Sequence, residues 1–252
     1  MSLYFSRAEH AERVARACAA MRDAGLDALL CFRQESLYWL TGFDTFGYVF
    51  FQCLVLRADG RMVLLTRAPD LRQAQLTATL DDIRIWVDRA DASPVADLRG
   101  ILAELNLANA TLGVEYGAYG LTAYDGKRLD AGLDGFATRH DASTLISRLR
   151  VIKSATEIGC VRRAAALADD ALDAAWARVA PGAFEGDILA AMQGAVFHGG
   201  GDYSGNEFII GSGPHALLCR YQTDRRYLNA TDQLTLEWAG VYRRYHAAMM
   251  RT

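Results

Sequence analysis

The sequence has 252 residues, of which 52% are hydrophobic and 23% are charged, and its formal net charge is −3. These values are typical of a globular protein and exclude disordered, collagen-like and disulfide-scaffold chains. The small net charge also excludes the dense positive surface that binding to nucleic acid or to an anionic membrane requires, so neither partner is expected.

Helical and strand patterns alternate through residues 1–148, which predicts an α/β domain with a mixed sheet. The first helix has apolar residues at helical spacing and stops at Gly25, and the second ends at Gly42. Asp59-Gly60 separates two β-rich segments, so these segments are expected to pair antiparallel. The predicted elements are helices over 7–25, 36–40 and 95–105, a short apolar run over 28–32, and strands over 50–57, 61–66, 83–87 and 110–115.

Residues 149–252 are predicted to form a second domain, in which helices precede antiparallel strands. Ser154-x-x-Glu157 is a capping box that starts a long Ala-rich helix, which reaches about residue 178. A helix over 185–197 and a glycine cluster at 199–201 follow. The predicted strands cover 208–211, 217–221, 233–240 and 242–250.

Cysteine usage and the N-terminus indicate a cytoplasmic protein. The cysteines are Cys18, Cys31, Cys53, Cys160 and Cys219. They are scattered and never form a CxxC pair, which argues against a zinc site and against a disulfide framework. Residues 1–7 lack the apolar core of a signal peptide, and no stretch reaches the roughly 18 apolar residues that a membrane helix needs.

The last two predicted strands bring a carboxylate and an imidazole onto one sheet face. A turn near residues 240–243 pairs Glu237 with Ala248 and Ala239 with His246, so His246 becomes a diagonal neighbour of Glu237. Glu237 lies between apolar residues, where an unpaired charge is costly. We therefore predict a catalytic pair, although the spacing also fits an ordinary strand carboxylate beside a surface histidine.

Three further polar or aromatic residues are candidates for substrate binding. Arg220 emerges from the apolar run 216–219 directly before Tyr221, and its guanidinium either pairs internally or binds an anionic ligand. His198 precedes the glycine cluster, which permits close backbone approach but is also typical of a simple turn. The cluster lacks the GxxxxGK[ST] pattern of a phosphate loop.

The sequence resembles the creatinase, prolidase and aminopeptidase P family along nearly its whole length. The motifs that carry the resemblance are Tyr-Trp-Leu-Thr-Gly-Phe at 38–43, Leu-Arg-Val-Ile-Lys-Ser-x-x-Glu-Ile at 149–158, Phe-Ile-Ile-Gly-Ser-Gly at 208–213 and Met-Met-Arg-Thr at 249–252. The resemblance implies a creatinase-like N-terminal domain over 1–148 and the first half of a pita-bread catalytic domain over 149–252.

Three positions depart from the metallopeptidases of that family. Those enzymes carry two metal-binding aspartates in this hairpin, eleven residues apart, where this sequence has Glu237 and Ala248. Because alanine cannot bind a metal, a two-metal site is not expected. Arg220 replaces the family's substrate-binding histidine. The loss of the second carboxylate and the loss of this histidine both point away from peptide hydrolysis.

The resemblance then implies a metal-independent hydrolase without a cofactor. The closing hairpin looks most like that of ectoine hydrolase, which opens a cyclic amidine, so the expected substrate is a small amidine that carries a carboxylate. Glu237 would attack the amidine carbon or activate water, and His246 would carry the proton. Arg220 would bind the substrate carboxylate, with Tyr221 and His198 beside it.

Two other functions remain open from the sequence. One is a metal-dependent Xaa-Pro dipeptidase or aminopeptidase that uses a divalent metal such as Mn²⁺. The other is a catalytically inactive pita-bread module that binds peptides or proteins. Metal analysis separates the first of these from the metal-free hydrolase, and Glu237→Ala separates an enzyme from a binding module.

The resemblance also implies a homodimer, in which Phe46 or Tyr48 would contribute to the substrate site of the partner subunit. The second half of the pita-bread domain does not follow in this sequence. A sheet that ends there would expose an apolar face and an unpaired edge. We therefore expect a fragment of a longer protein that is inactive or poorly folded by itself.

Overall fold

The computed structural model describes residues 3–218, 220 and 222–252, so Cys219 and Tyr221 lie outside the described residues. The chain packs as two compact units, of which one ends at Ile152 and the other begins at Lys153. The boundary predicted between residues 148 and 149 falls within the last helix of the first unit. None of the described helices combines the length and the hydrophobicity needed to cross a bilayer.

A mixed sheet forms the first unit and confirms the predicted α/β class. Its strands are β1 (Ala28–Cys31), β2 (Cys53–Arg57), β3 (Met62–Arg67), β4 (Ile83–Trp86), β5 (Thr111–Val114) and β6 (Thr138–Asp141). In the order β4-β3-β2-β1-β5-β6, β2 pairs antiparallel with both β1 and β3, and the outer pairs are parallel. Its helices are α1 (Arg7–Asp23), α2 (Gln34–Thr41), α3 (Leu71–Thr77), α4 (Pro94–Glu104), α5 (Ala123–Leu133) and α6 (Leu145–Val151).

Helices cover both faces of this sheet, because successive strand residues point to opposite sides. Leu30 packs in the core that α4 and α5 complete, whereas Leu29 packs in the core that α1 and α2 complete. The whole of β1 is therefore buried. The local turn signals act as predicted: Gly42 ends α2 at φ 81°, and Gly60 turns the chain between β2 and β3 at φ 92°.

The second unit packs two helices against one face of an antiparallel sheet. Its elements are α7 (Ala155–Trp176), α8 (Glu185–His198), β7 (Ile209–Ser212), β8 (Leu234–Tyr242) and β9 (Tyr245–Arg251), with the strands in the order β7-β8-β9. The predicted capping box is confirmed at the start of α7. The Glu157 N–H donates to Ser154 Oγ, and the Ser154 N–H donates to the Glu157 carboxylate at 2.7 Å.

The strand predicted over 217–221 is wrong for its described residues 217, 218 and 220, which lie in a turn, irregular chain and a bend. Gly213, at φ 52°, reverses the chain directly after β7, and the Leu218 N–H donates to the His215 carbonyl, which closes a turn. Leu217 is consequently 86% exposed. Leu218 is also exposed, so the apolar composition that predicted a strand belongs here to side chains at the surface of a turn.

The sheet of the second unit approaches α7 without space for a side chain at Gly240. The Trp238 indole N–H donates to the Ala168 carbonyl of α7 at 2.9 Å. A Cβ added to Gly240 would lie 2.0 Å from the Ala164 carbonyl oxygen and 2.5 Å from the Ala168 nitrogen. Both obstacles are helix backbone, so they cannot move aside without shifting α7.

We expect Gly240→Ala to destabilise the protein by about 3 kcal/mol, because the new methyl group overlaps the α7 backbone. The matched change is Gly159→Ala in α7, where an added Cβ meets nothing within 4 Å. That variant should be more stable by roughly 0.5–1 kcal/mol, because alanine loses less backbone entropy in a helix. Urea denaturation of both variants measures the difference, and equal midpoints would contradict the close packing.

Candidate functional site

The hairpin of β8 and β9 has a different register from the predicted one. Glu237 pairs with Met250, Ala239 with Ala248, and Val241 with His246. The predicted pairs of Glu237 with Ala248 and of Ala239 with His246 are therefore wrong. The turn lies at Arg243-Arg244, one position beyond the predicted centre, and both arginines have positive φ, as a two-residue turn of type I′ requires.

One face of this sheet carries the predicted catalytic residues, and we call it the Glu237 face. The other face packs against the helices through Leu236 and Trp238. Because side chains alternate along a strand and paired residues share a face, the members follow from the register. The Glu237 face consists of Ile209, Gly211, Thr235, Glu237, Ala239, Val241, His246, Ala248 and Met250.

Glu237 lies in the middle of this face among apolar neighbours. Ile209 of β7 and Met250 of β9 pair directly with Glu237 on its two sides, and Ala248 is a diagonal neighbour. The side chain is partly buried, and its carboxylate has no hydrogen bond or ion pair within the residues that the structure describes. A carboxylate in such surroundings is poorly solvated and available to accept a proton or to form a bond.

His246 shares this face but does not reach Glu237. It lies opposite Val241, four residues along β8 from Glu237, which corresponds to roughly 14 Å. The predicted adjacent pair is therefore wrong, because the Arg243-Arg244 turn shifts β9 along β8. Both ring nitrogens of the exposed imidazole have partners: Nε2 accepts from the Gly205 N–H and Nδ1 donates to the Arg244 carbonyl, each at 3.0 Å. These contacts require the neutral Nδ1–H tautomer.

The loop that His246 contacts forms the wall of a pocket at the end of α8. The pocket has a volume of about 210 Å³. The Phe197 and Tyr203 rings meet edge to face in it at 4.8 Å, and Asp202 and Glu207 add carboxylates. Gly205 belongs to the same wall, so His246 supports the pocket from outside.

The other predicted binding residues lie on separate elements of the chain. His198 is the last residue of α8, and its exposed imidazole contacts the Gly194 carbonyl of the same helix at 2.6 Å. Arg220 is exposed in a bend, and Tyr221 lies outside the described residues. Phe46 and Tyr48 belong to the first unit, where their rings stack edge to face at 5.2 Å and Phe46 is 71% exposed.

A buried polar network beside β7 was not predicted. Glu185, the first residue of α8, accepts hydrogen bonds from Ser212 and from the Arg226 backbone, and the Arg226 side chain contacts both Ser212 and Asp232. The Asn229 N–H and the Arg226 guanidinium lower the pKa of Asp232. In the sequence, Glu185 looks like an ordinary acidic residue in a first helical turn, and no local signal marks its distant partners.

The residues at the two positions that the resemblance associates with metal binding do not fit a metal pair. Ala248 lies diagonal to Glu237 and presents a methyl group where a second carboxylate would lie. Across the described part of the chain, no three His, Cys, Asp or Glu side chains cluster closely enough to hold a metal ion. Of these two positions, only Glu237 offers a metal a ligand atom.

Comparison with known proteins gives matches over both units. Residues 13–152 match the Creatinase/Prolidase N-terminal domain, and residues 159–252 match Metallopeptidase family M24. An uncharacterized hydrolase/peptidase of Sinorhizobium fredii is 31% identical in an alignment 266 residues long, gaps included, which covers 99% of this chain and 66% of that protein. The ectoine hydrolase of Halomonas elongata is 28% identical in an alignment 270 residues long, gaps included, which covers 100% of this chain and 67% of the enzyme.

Solved structures share the fold. The dipeptidase PepE of Mycobacterium ulcerans superposes with a TM-score of 0.79 at 27% identity, over 98% of this chain and 65% of that chain. The predicted creatinase-like and pita-bread fold is thereby confirmed. The chain spans about two thirds of the length of the curated relatives that it matches.

Replacing Ala248 by aspartate tests the metal argument directly in the full-length protein. Ala248→Asp sets a second carboxylate diagonal to Glu237, so we expect Mn²⁺ to bind about tenfold more tightly than to the wild type. Saturation at 100 times the dissociation constant would stabilise the variant by about 2.7 kcal/mol in thermal unfolding. The uncharged control Ala248→Asn should show no such shift, and equally tight Mn²⁺ binding by the wild type would contradict the argument.

Proposed function

Because the chain belongs to the creatinase/prolidase family, we propose that the whole protein is a hydrolase that cleaves a C–N bond without a metal ion. The proposed substrate is a small amidine that carries a carboxylate, and ectoine is the leading candidate. Similarity to the ectoine hydrolase of Halomonas elongata over the whole chain supports this substrate class. The observation that carries the proposal is the methyl group of Ala248 beside the carboxylate of Glu237.

Glu237 performs the chemical step in this proposal. Its carboxylate takes a proton from water while the water oxygen bonds to the amidine carbon, and the electrons of the C=N bond move to nitrogen. Glu237 passes this proton to that nitrogen, and it then carries the proton of the new hydroxyl group to the leaving nitrogen as the C–N bond breaks and the C=O bond forms. Direct attack by Glu237 on the amidine carbon, followed by hydrolysis of the adduct, is the other route that this carboxylate allows.

Arg220 and the apolar neighbours of Glu237 complete the proposed site. The guanidinium of Arg220 binds the substrate carboxylate through two parallel hydrogen bonds, which fixes the orientation of the amidine. Ile209 and Met250 lie on the two sides of Glu237 and would flank the amidine carbon that it acts on. His246 takes no part in proton transfer in this scheme, because it lies roughly 14 Å along the strands from Glu237.

A metal-dependent dipeptidase is the second candidate. Its support is the similarity to the dipeptidase PepE, whose identity to this chain is close to that of the ectoine hydrolase. The arrangement of Glu237 and Ala248 opposes it, because a peptidase of that kind needs carboxylates for its metal ions.

Substrate turnover by the chelator-treated full-length protein distinguishes the two candidates. We expect ectoine to be hydrolysed at the same rate before and after EDTA treatment, because no step requires a metal. Creatine and an Xaa-Pro dipeptide, assayed in parallel, should remain intact. Hydrolysis of the dipeptide alone, restored by Mn²⁺ after chelation, would establish the peptidase instead.

Removing the Glu237 charge tests the assigned role. Glu237→Gln should lower kcat for ectoine by about 10³-fold, which is within the usual contribution of a general base. The matched control is Glu12→Gln on the exposed surface of α1, which should retain wild-type kcat. Mass analysis after a single turnover in H₂¹⁸O separates the two routes, because only direct attack transfers ¹⁸O to Glu237. Unchanged turnover by Glu237→Gln would refute the role.

A further inference from the structure

The segment from residue 213 to residue 225, which carries Arg220, leaves and rejoins the fold at one buried carboxylate. Ser212 ends β7 directly before this segment, and Arg226 follows it. Glu185 Oε1 accepts from the Ser212 N–H at 3.1 Å and from the Ser212 hydroxyl at 2.7 Å. Glu185 Oε2 accepts from the Arg226 N–H at 3.1 Å. One side chain therefore joins both ends of the segment.

The burial of this carboxylate makes the join strong. Glu185 is 1% exposed and Ser212 is 0% exposed, so water does not compete for these hydrogen bonds. The Glu185 N–H donates to the Arg226 carbonyl at 3.1 Å, which makes the contact with Arg226 reciprocal. A buried charge that accepts several hydrogen bonds is costly to disturb, because losing one donor leaves the carboxylate under-solvated.

A second layer of contacts fixes the same two ends. The Arg226 guanidinium donates to Ser212 Oγ at 2.9 Å and to Asp232 at 2.6 Å, and the Asn229 N–H donates to Asp232 at 2.7 Å. The Ser212 hydroxyl thus accepts from Arg226 while it donates to Glu185. Such chains of hydrogen bonds strengthen each other in a low-dielectric interior.

This carboxylate does not serve its own helix as a cap. Glu185 is the first residue of α8, and the residue before it, Phe184, makes no side-chain capping hydrogen bond. The Glu185 carboxylate bonds to β7 and to the chain after the segment instead. Its function therefore concerns the segment rather than the start of α8.

We propose that Glu185 is a positioning residue, which closes the base of segment 213–225 and thereby holds Arg220 where it binds the substrate carboxylate. The part that concerns Arg220 rests on the proposed function. Glu185 itself touches no substrate and acts through the segment.

Hydrogen exchange tests the closure without any assay of turnover. Among the described residues of the segment, three amides donate to backbone carbonyls: Gly213 to Gln233, Ala216 to Gly213, and Leu218 to His215. In full-length Glu185→Gln, the new NH₂ group faces a group of Ser212 or Arg226 that itself donates, so that hydrogen bond is lost. We therefore expect the three backbone amides to exchange roughly tenfold faster. The control Asp187→Asn removes an exposed charge from the same helical turn and should leave their exchange unchanged.

Kinetics test whether the closure acts on Arg220. Glu185→Gln should raise KM for ectoine about tenfold and leave kcat within about twofold, because the segment orients the carboxylate anchor and not the reacting carbon. A purely structural defect would lower the unfolding temperature and the active fraction without changing KM. In an Arg220→Gln background, Glu185→Gln should have no further effect on KM, since both substitutions remove the same interaction with the substrate carboxylate.

The outcomes distinguish a failure of the positioning role of Glu185 from a failure of the proposed function. Unchanged exchange of Gly213, Ala216 and Leu218 in folded Glu185→Gln would overturn the positioning role, as would additive KM effects with Arg220→Gln. If Glu185→Gln does not fold, Ser212→Ala removes only the hydroxyl donor and should show the same changes at smaller size. Failure of the wild type to hydrolyse ectoine would contradict the proposed function alone, because the exchange result does not depend on turnover.

Discussion

The register of the β8–β9 hairpin determines which side chains surround Glu237, and a two-residue turn sets that register. Arg243 and Arg244 both have left-handed backbone conformations, at φ 50° and 67°. Such conformations cost of order 1 kcal/mol or more for residues other than glycine. The seven paired positions of β9 offset this cost, and they place Ala248 rather than a polar residue diagonal to the carboxylate. The chemistry proposed for Glu237 depends on that placement.

Local signals predicted most of the first unit and the start of the second correctly. Gly42, Asp59-Gly60 and the Ser154 capping box act within a few residues of themselves, so their meaning does not depend on distant parts of the chain. Gly240 has a different meaning. It suggested a turn, but the structure needs it where β8 meets the α7 backbone. A glycine required for close packing and a glycine required for a turn look the same in a sequence.

The candidate site was predictable only in part. Motif spacing placed Glu237 and Ala248 on one sheet face, and alternation of side chains along the strands placed His246 there too. The observed register moves β9 by two residues relative to the predicted one, and a shift by an even number keeps every side chain on its face. The same shift separates His246 from Glu237, and nothing in the sequence reports it, since Arg-Arg is not a typical turn dipeptide. The contacts of Glu185 could not be predicted from the sequence, because its partners lie 27 and 41 residues away along the chain.

The hydroxyl of Tyr245 donates to Glu157 at 2.6 Å, across 88 residues of sequence. Glu157 simultaneously accepts from the Ser154 N–H through its other oxygen, so one carboxylate serves both the capping box and β9. A capping box and its helix are local and form fast, whereas the contact between the hairpin and α7 closes a loop of 88 residues. We therefore expect β9 to dock onto an acceptor that the helix has already positioned, so that one carboxylate links a local folding event to a long-range one.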